Sequence, residues 1–171
     1  MPRPATKTHP KSNPAGIQDY IAIVIATGAG AGFMPKAPGT AGALEGLLIY
    51  LLMESLRLGP YFLHAIIFFL IIGTWSAYRV ERFWGEDSQR IVVDEIVGQM
   101  ITFGIAAGRY PLPVYLVVFG FILFRLFDIV KPFPLRRLES LKWGLGVMCD
   151  DVGAGLYALI VLTLTRKILG A

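Results

Sequence analysis

The chain has 171 residues and a net charge of +4, with 55% hydrophobic and only 16% charged residues. One domain fits that length, and the composition excludes an ordinary water-soluble domain, which needs more polar surface. The single cysteine, Cys149, excludes an intramolecular disulfide and a four-cysteine metal centre, and no basic cluster interleaved with aromatics points to nucleic acid.

Residues 1–14 are polar, rich in proline and lysine, and lack the apolar stretch of a signal peptide. With Ala15 and Gly16 they read as a mobile arm, residues 1–16, ahead of a single membrane-embedded domain, residues 17–171. Residues 17–34 are apolar but rich in alanine and glycine, and either cross the bilayer or form a re-entrant or interfacial segment. Five long apolar stretches then predict helices at roughly 42–58, 61–79, 91–108, 112–130 and 147–166. Several approach the length of a bilayer-crossing helix, about 20 residues. The expected fold is an all-α integral membrane bundle of about five transmembrane helices.

Two glycine pairs, Gly28 with Gly32 and Gly42 with Gly46, have the small-residue spacing that lets membrane helices touch. The first run is no dinucleotide fingerprint, because Phe33 stands where the third glycine belongs.

The distribution of basic residues orients the bundle. If the first apolar segment does not cross, one face receives Arg3, Lys7, Lys11, Lys36, Arg79, Arg82, Arg90, Lys131, Arg136, Arg137 and Lys142, and the other only Arg57, Arg109, Arg166 and Lys167. If it does cross, the split is 8 against 7 and orients nothing. The positive-inside tendency thus favours five crossings with the arm in the cytoplasm.

Under that topology Thr40, Asp94, Glu95, Asp128, Lys131, Asp150 and Asp151 all fall at the cytoplasmic face. Ionisable residues at membrane depth cost roughly 2.5–3.5 kcal/mol each on insertion scales and mark function by default. Five carboxylates gathered together need compensation. A hard divalent cation supplies it; Mg²⁺ is typically held by one or two carboxylates plus waters and substrate phosphate. Acidic residues also stabilise helix N-termini, which would account for Asp94, Glu95, Asp150 and Asp151 one at a time. It would not account for Asp128, near a helix C-terminus.

Arg125, Asp128 and Lys131, spaced by three, share a helix face. Arg125 either only pairs with Asp128 or also binds substrate phosphate; Lys131 taken alone reads as an interfacial lysine. Arg136 and Arg137 read as contacts to anionic lipid. Thr40 is placed as the N-cap of the first span, where free backbone N–H groups bind an anion. Gly144 and Gly146 loosen the loop before Asp150. His9 and His64 are the only histidines, one in the arm and one in an uncharged span, so histidine-nucleophile phosphatases do not fit. Cys149 lacks an arginine six residues on and adjoins Asp150, so it is no activated thiol.

The segments Pro38-Gly39-Thr40-Ala41-Gly42, Val93-Asp94-Glu95-Ile96-Val97-Gly98, Phe124-Arg125-Leu126-Phe127-Asp128-Ile129-Val130-Lys131-Pro132-Phe133-Pro134 and Gly144-Leu145-Gly146-Val147-Met148-Cys149-Asp150-Asp151 together resemble the phosphatidylglycerophosphatase A family. The resemblance runs over most of the chain beyond the arm. It implies a Mg²⁺-dependent, multi-pass enzyme of the bacterial inner membrane that converts phosphatidylglycerophosphate to phosphatidylglycerol. Its catalytic and metal residues would come from Asp94, Glu95, Asp128, Asp150 and Asp151, with Thr40, Arg125 and Lys131 binding substrate. Glu45 departs from the family pattern and is left outside the site. Two rival readings are a small ion or metal transporter using the carboxylates, and a lipid-binding scaffold using the basic loops. Against the first, the acidic groups stop at one face; the second leaves them without a purpose.

Overall fold

A computed structural model describes residues 13–85, 88–104, 112–135 and 145–170, with the side chains of 145–147 excepted. The arm to Ser12, residues 105–111 and the loop 136–144 with Arg136, Arg137 and Gly144 lie outside these described residues. Within them the chain is wholly helical. Helix α1 (Ile17–Ala26) leads into a 3₁₀ turn (Gly28–Phe33); α2 is Pro38–Ser55; a second 3₁₀ turn (Gly59–Tyr61) precedes α3 (Phe62–Trp84); α4 is Val93–Thr102, α5 Val114–Val130 and α6 Leu145–Leu169.

The boundaries follow local chemistry. Thr27 ends α1 by donating its hydroxyl to Ile23 O at 2.7 Å. Gly28, Ala29 and Gly30 then take left-handed φ values of 53°, 49° and 116°, which no helix continues. Pro38 stands at the first position of α2, where its fixed φ suits a helix and its missing N–H costs nothing. The N-cap there is Ala37, in a left-handed conformation, so Thr40 is not the cap. Its N–H is already given to Ala37 O at 3.0 Å and its side chain is exposed. The segment 17–34 is a ten-residue helix followed by a glycine-broken turn.

The core is built around α4. Nine of its ten residues are buried, because α2, α3, α5 and α6 all pack on it. That burial explains why a helix expected over 91–108 reads as apolar on every side. Its observed length, 10 residues, spans about 15 Å, half of a bilayer core. Glycines set the spacing. A Cβ at Gly42 would meet Val92 O at 2.7 Å, and one at Gly46 would meet Ile96 O at 2.5 Å. The second expected small-residue pair therefore does bring two helices together. The first pair works differently: Gly28 lies under Glu45 and Gly32 under the Arg90 carbonyl, within a turn rather than a helix crossing.

Outward, the surface is apolar at every fourth residue. Leu44 and Leu48 on α2, Leu63, Ile67 and Ile71 on α3, Val114, Val118, Ile122 and Leu126 on α5, and Leu156, Ile160, Leu164 and Ile168 on α6 are all exposed. A water-soluble bundle turns its polar faces outward instead. Two stretches, Gly59–Trp84 and Met148–Leu169, are long and apolar enough to cross a membrane.

Candidate active site

The glycine contacts also fix helix direction. Gly39, Gly42 and Gly46 of α2 approach Glu95, then Val92 and Glu95, then Ile96 and Gln99 of α4, so the two helices run the same way. Gly155 of α6 packs on the backbone oxygen of Gly98, and Gly98 packs on Asp151 O. Asp94 and Asp151 lie four residues, about one turn, before those two glycines. The close backbone contact therefore sets the two aspartates side by side. The N-termini of α2, α4 and α6 share one end of the bundle, and α5, which delivers Arg125, Asp128 and Lys131, ends there.

At that end the five sequence-predicted carboxylates divide into two sets. Asp94, Glu95 and Asp151 each present an oxygen within 4.8 Å of the other two. Asp94 and Asp151 are buried and Glu95 half-buried. The other two carry cations. Asp128 Oδ2 lies 2.7 Å from Arg125 Nη1, and Asp150 accepts a hydrogen bond from Lys131 Nζ.

Lys131, read in the sequence as sharing a face with Arg125 and Asp128, pairs with Asp150. It is the C-cap of α5 with φ 46°, its N–H given to Phe127 O at 2.8 Å. That left-handed turn swings its side chain away from the α5 face to Asp150 at the start of α6. Arg125 has a different character. Its Nη1 is close to Asp128 but has no hydrogen-bond acceptor in line, and it is buried. Gly39 lies against both sides of this arrangement: a Cβ there would collide with Glu95 Oε1 and come within 3.3 Å of Arg125 Nη1. The Pro38-Gly39-Thr40-Ala41-Gly42 segment thus contributes its glycine, while Thr40 stays on the surface beside it.

The cluster's donor set fits a hard cation. Asp94 Oδ1 and Glu95 Oε2 are buried without a hydrogen-bond donor, and buried charge in that condition is costly unless paired or metal-bound. All three side chains offer oxygen, the donor that Mg²⁺ prefers. The N-termini of α2 and α4 meet there and add positive partial charge for an anion, whereas Asp150 and Asp151 lie beyond the first turn of α6.

Residues set aside in the sequence fall elsewhere. His64 is exposed at the opposite end, near Tyr61. Cys149 is half-buried beside Asp150. Glu45 packs under Gly28, away from the cluster. Gly98 and Gly155 were not singled out as positioning residues by sequence reasoning. Their signal was a repeated spacing, an aspartate four residues before a glycine, in both α4 and α6.

Comparisons with known proteins agree on one family. The profile of the phosphatidylglycerophosphatase A family matches residues 24–166. A Bacteroides thetaiotaomicron protein provisionally named a phosphatidylinositol-3-phosphatase is 41% identical over 155 residues, 88% of this chain and 97% of the relative. A Haemophilus influenzae phosphatidylglycerophosphatase A is 37% identical over 141 residues, covering 81% of this chain and 85% of the relative. The Escherichia coli phosphatidylglycerophosphatase A is 32% identical over 146 residues, covering 81% and 80%. No solved structure matches significantly.

Proposed function

The chain belongs to the phosphatidylglycerophosphatase A family and is a phosphatase of that kind, and we propose that it removes the terminal phosphate of phosphatidylglycerophosphate at the cytoplasmic face of the bacterial inner membrane, with Mg²⁺. The single observation that carries the reading is the trio of buried Asp94 and Asp151 with half-buried Glu95, gathered at one end of the bundle beside two cationic side chains. Asp94, Glu95 and Asp151 would hold the metal. When bound, it neutralises phosphate oxygens and activates water.

The protein's own groups do the rest. Phosphoryl transfer is mainly a matter of positioning and charge neutralisation. Arg125 turns its in-plane N–H groups to the phosphate, and Asp128 holds the guanidinium in place. Lys131, fixed by Asp150, adds a second positive charge. Water attacks directly, and a carboxylate oxygen of the cluster left off the metal accepts its proton. The P–O bond to the lipid breaks as the new one forms, that proton passes to the lipid oxygen, and the products are inorganic phosphate and the lipid alcohol.

The lipid setting rests on the apolar outer surface and the two long apolar helices. In this reading α2, α3, α5 and α6 cross, and the fifth expected span begins with α4. The acidic groups of the site sit at one end; α3 carries no Asp, Glu, Lys or Arg from Phe62 to Tyr78, nor α6 from Val152 to Thr165. That pattern speaks for interfacial chemistry and against an ion path, which needs polar groups through the bilayer.

The test is phosphate release by detergent-solubilised protein from phosphatidylglycerophosphate, and in parallel from phosphatidylinositol 3-phosphate, with Mg²⁺ and with excess chelator. Metal-dependent turnover of the first, faster than of the second, is expected. Preference for the inositol lipid would reassign the substrate, and full turnover in chelator would remove the metal from the reaction.

A further inference from the structure

A pocket of about 530 Å³ opens beside the start of α2, outside the acidic cluster, with Phe33, Pro38, Trp84 and Arg90 among its walls. The Arg90 guanidinium stands 5.5 Å from the Trp84 ring centroid and 5.9 Å from that of Phe33. The two rings meet edge to face at 6.0 Å. Among the described residues Arg90 has no carboxylate partner. An arginine held over aromatic faces keeps its N–H edges in plane and free for an oxyanion.

The backbone around it is pinned on both sides. Gly32 lies directly under the Arg90 carbonyl, where a Cβ would collide, and Val92 N–H is given to Ala26 O at 2.8 Å. The pocket is also joined to the catalytic end. Pro38 lies four residues before Gly42, hence on the same face of α2, and Gly42 packs on Val92 and Glu95. Arg90 itself sits four residues ahead of Asp94. At the rim, Phe33 and Met34 expose apolar surface suited to acyl chains.

We propose that this pocket binds the phosphodiester of the lipid substrate, with Arg90 as its donor, while the acidic cluster takes the terminal monoester. The proposal rests on the function inferred above, whose lipid carries both a phosphodiester and a distal phosphate monoester. Charge complementarity selects the occupant: the site offers a cation braced by two aromatic rings beside the exposed apolar side chains of Phe33 and Met34, which suits an anion attached to a lipid.

Arg90→Gln in the full-length, detergent-solubilised enzyme tests it, with phosphatidylglycerol as a ligand holding only the diester and phosphatidic acid as one holding only the monoester. For the variant, KM for phosphatidylglycerophosphate and the inhibition constant of phosphatidylglycerol should both rise about tenfold, the loss of one charged hydrogen bond. Inhibition by phosphatidic acid should stay as in wild type, and Arg90→Lys should recover part of the loss. Thermal stability measured alongside identifies a variant that has merely misfolded. An equal rise for both inhibitors, or for neither, overturns the proposal. A wild-type enzyme that releases no phosphate from phosphatidylglycerophosphate overturns the proposed function, and this site falls with it.

Discussion

Two acidic centres in this molecule are built on opposite principles. Between α1 and α3, the buried carboxylate of Asp19 accepts from Arg79 at 2.7 Å, from Arg82 at 3.0 Å and from the Ala15 N–H at 3.1 Å. One negative charge meets two positive ones, and Arg79 is further braced over Trp75. At the shared N-termini of α2, α4 and α6, three carboxylates meet within 4.8 Å, and two of their oxygens have no donor. A satisfied ion pair holds a helix in place. An excess of buried negative charge must be neutralised, by protons or by a cation. The difference separates a satisfied clip from a cluster with room for a cation, without reference to any relative.

Substitutions that preserve shape and remove charge should break this comparison most sharply. Asp94→Asn, Asp128→Asn and Asp151→Asn are each expected to lower turnover at least about a hundredfold while the protein still inserts and folds. Near-normal rates for all three, measured by phosphate release, would reduce the cluster to helix-end electrostatics. Asp19→Asn should do the reverse: a lower Tm, because two arginines lose their shared acceptor, with unchanged activity per folded molecule.

Packing comes next. A Cβ at Gly98 would press on the Phe124 ring and on Asp151 O, so Gly98→Ala should destabilise by about 1–3 kcal/mol, the usual cost of overpacking. It should also reduce turnover by displacing Asp151 from Asp94. Stability and rate measured on the same preparation check both parts; a variant that loses stability but not rate would show that the cluster tolerates the shift.

Arg125→Lys separates balance from recognition. If the guanidinium only offsets Asp128, lysine suffices. If its planar fork grips phosphate, the rate should fall about tenfold or more with little change in Tm. The second outcome is expected, because Arg125 Nη1 is buried and not aligned on Asp128. The smallest effects are expected at His64→Ala and Cys149→Ala, which touch neither centre and should retain wild-type kcat.

The sequence made the helices legible because long apolar runs leave few alternatives, and it made the acidic residues conspicuous because charge is costly in such runs. It was least informative where the fold depends on contacts between distant segments. The approach of Asp94 to Asp151 is decided by Gly98 against Gly155, 57 residues apart in the chain. The partner of Lys131 is decided by a left-handed residue at the end of α5, which helical spacing does not foresee. The same limit applies to Thr40: the left-handed Ala37 moves the start of α2 forward and takes the capping position from it. The pocket at Arg90 was hidden because Phe33, Trp84 and Arg90 come from three separate segments, and the sequence marks Arg90 only as one of several basic loop residues.

The central claim is that the Asp94–Glu95–Asp151 cluster binds a divalent cation and the Asp19 clip does not. Mn²⁺ titration followed by electron paramagnetic resonance, in detergent and without substrate, measures this directly. Wild type and Asp19→Asn should bind Mn²⁺ with the same affinity, Mg²⁺ should displace it, and the Asp94→Asn/Asp151→Asn double variant should bind none. Equal binding by the double variant, or no binding by wild type, would contradict the account.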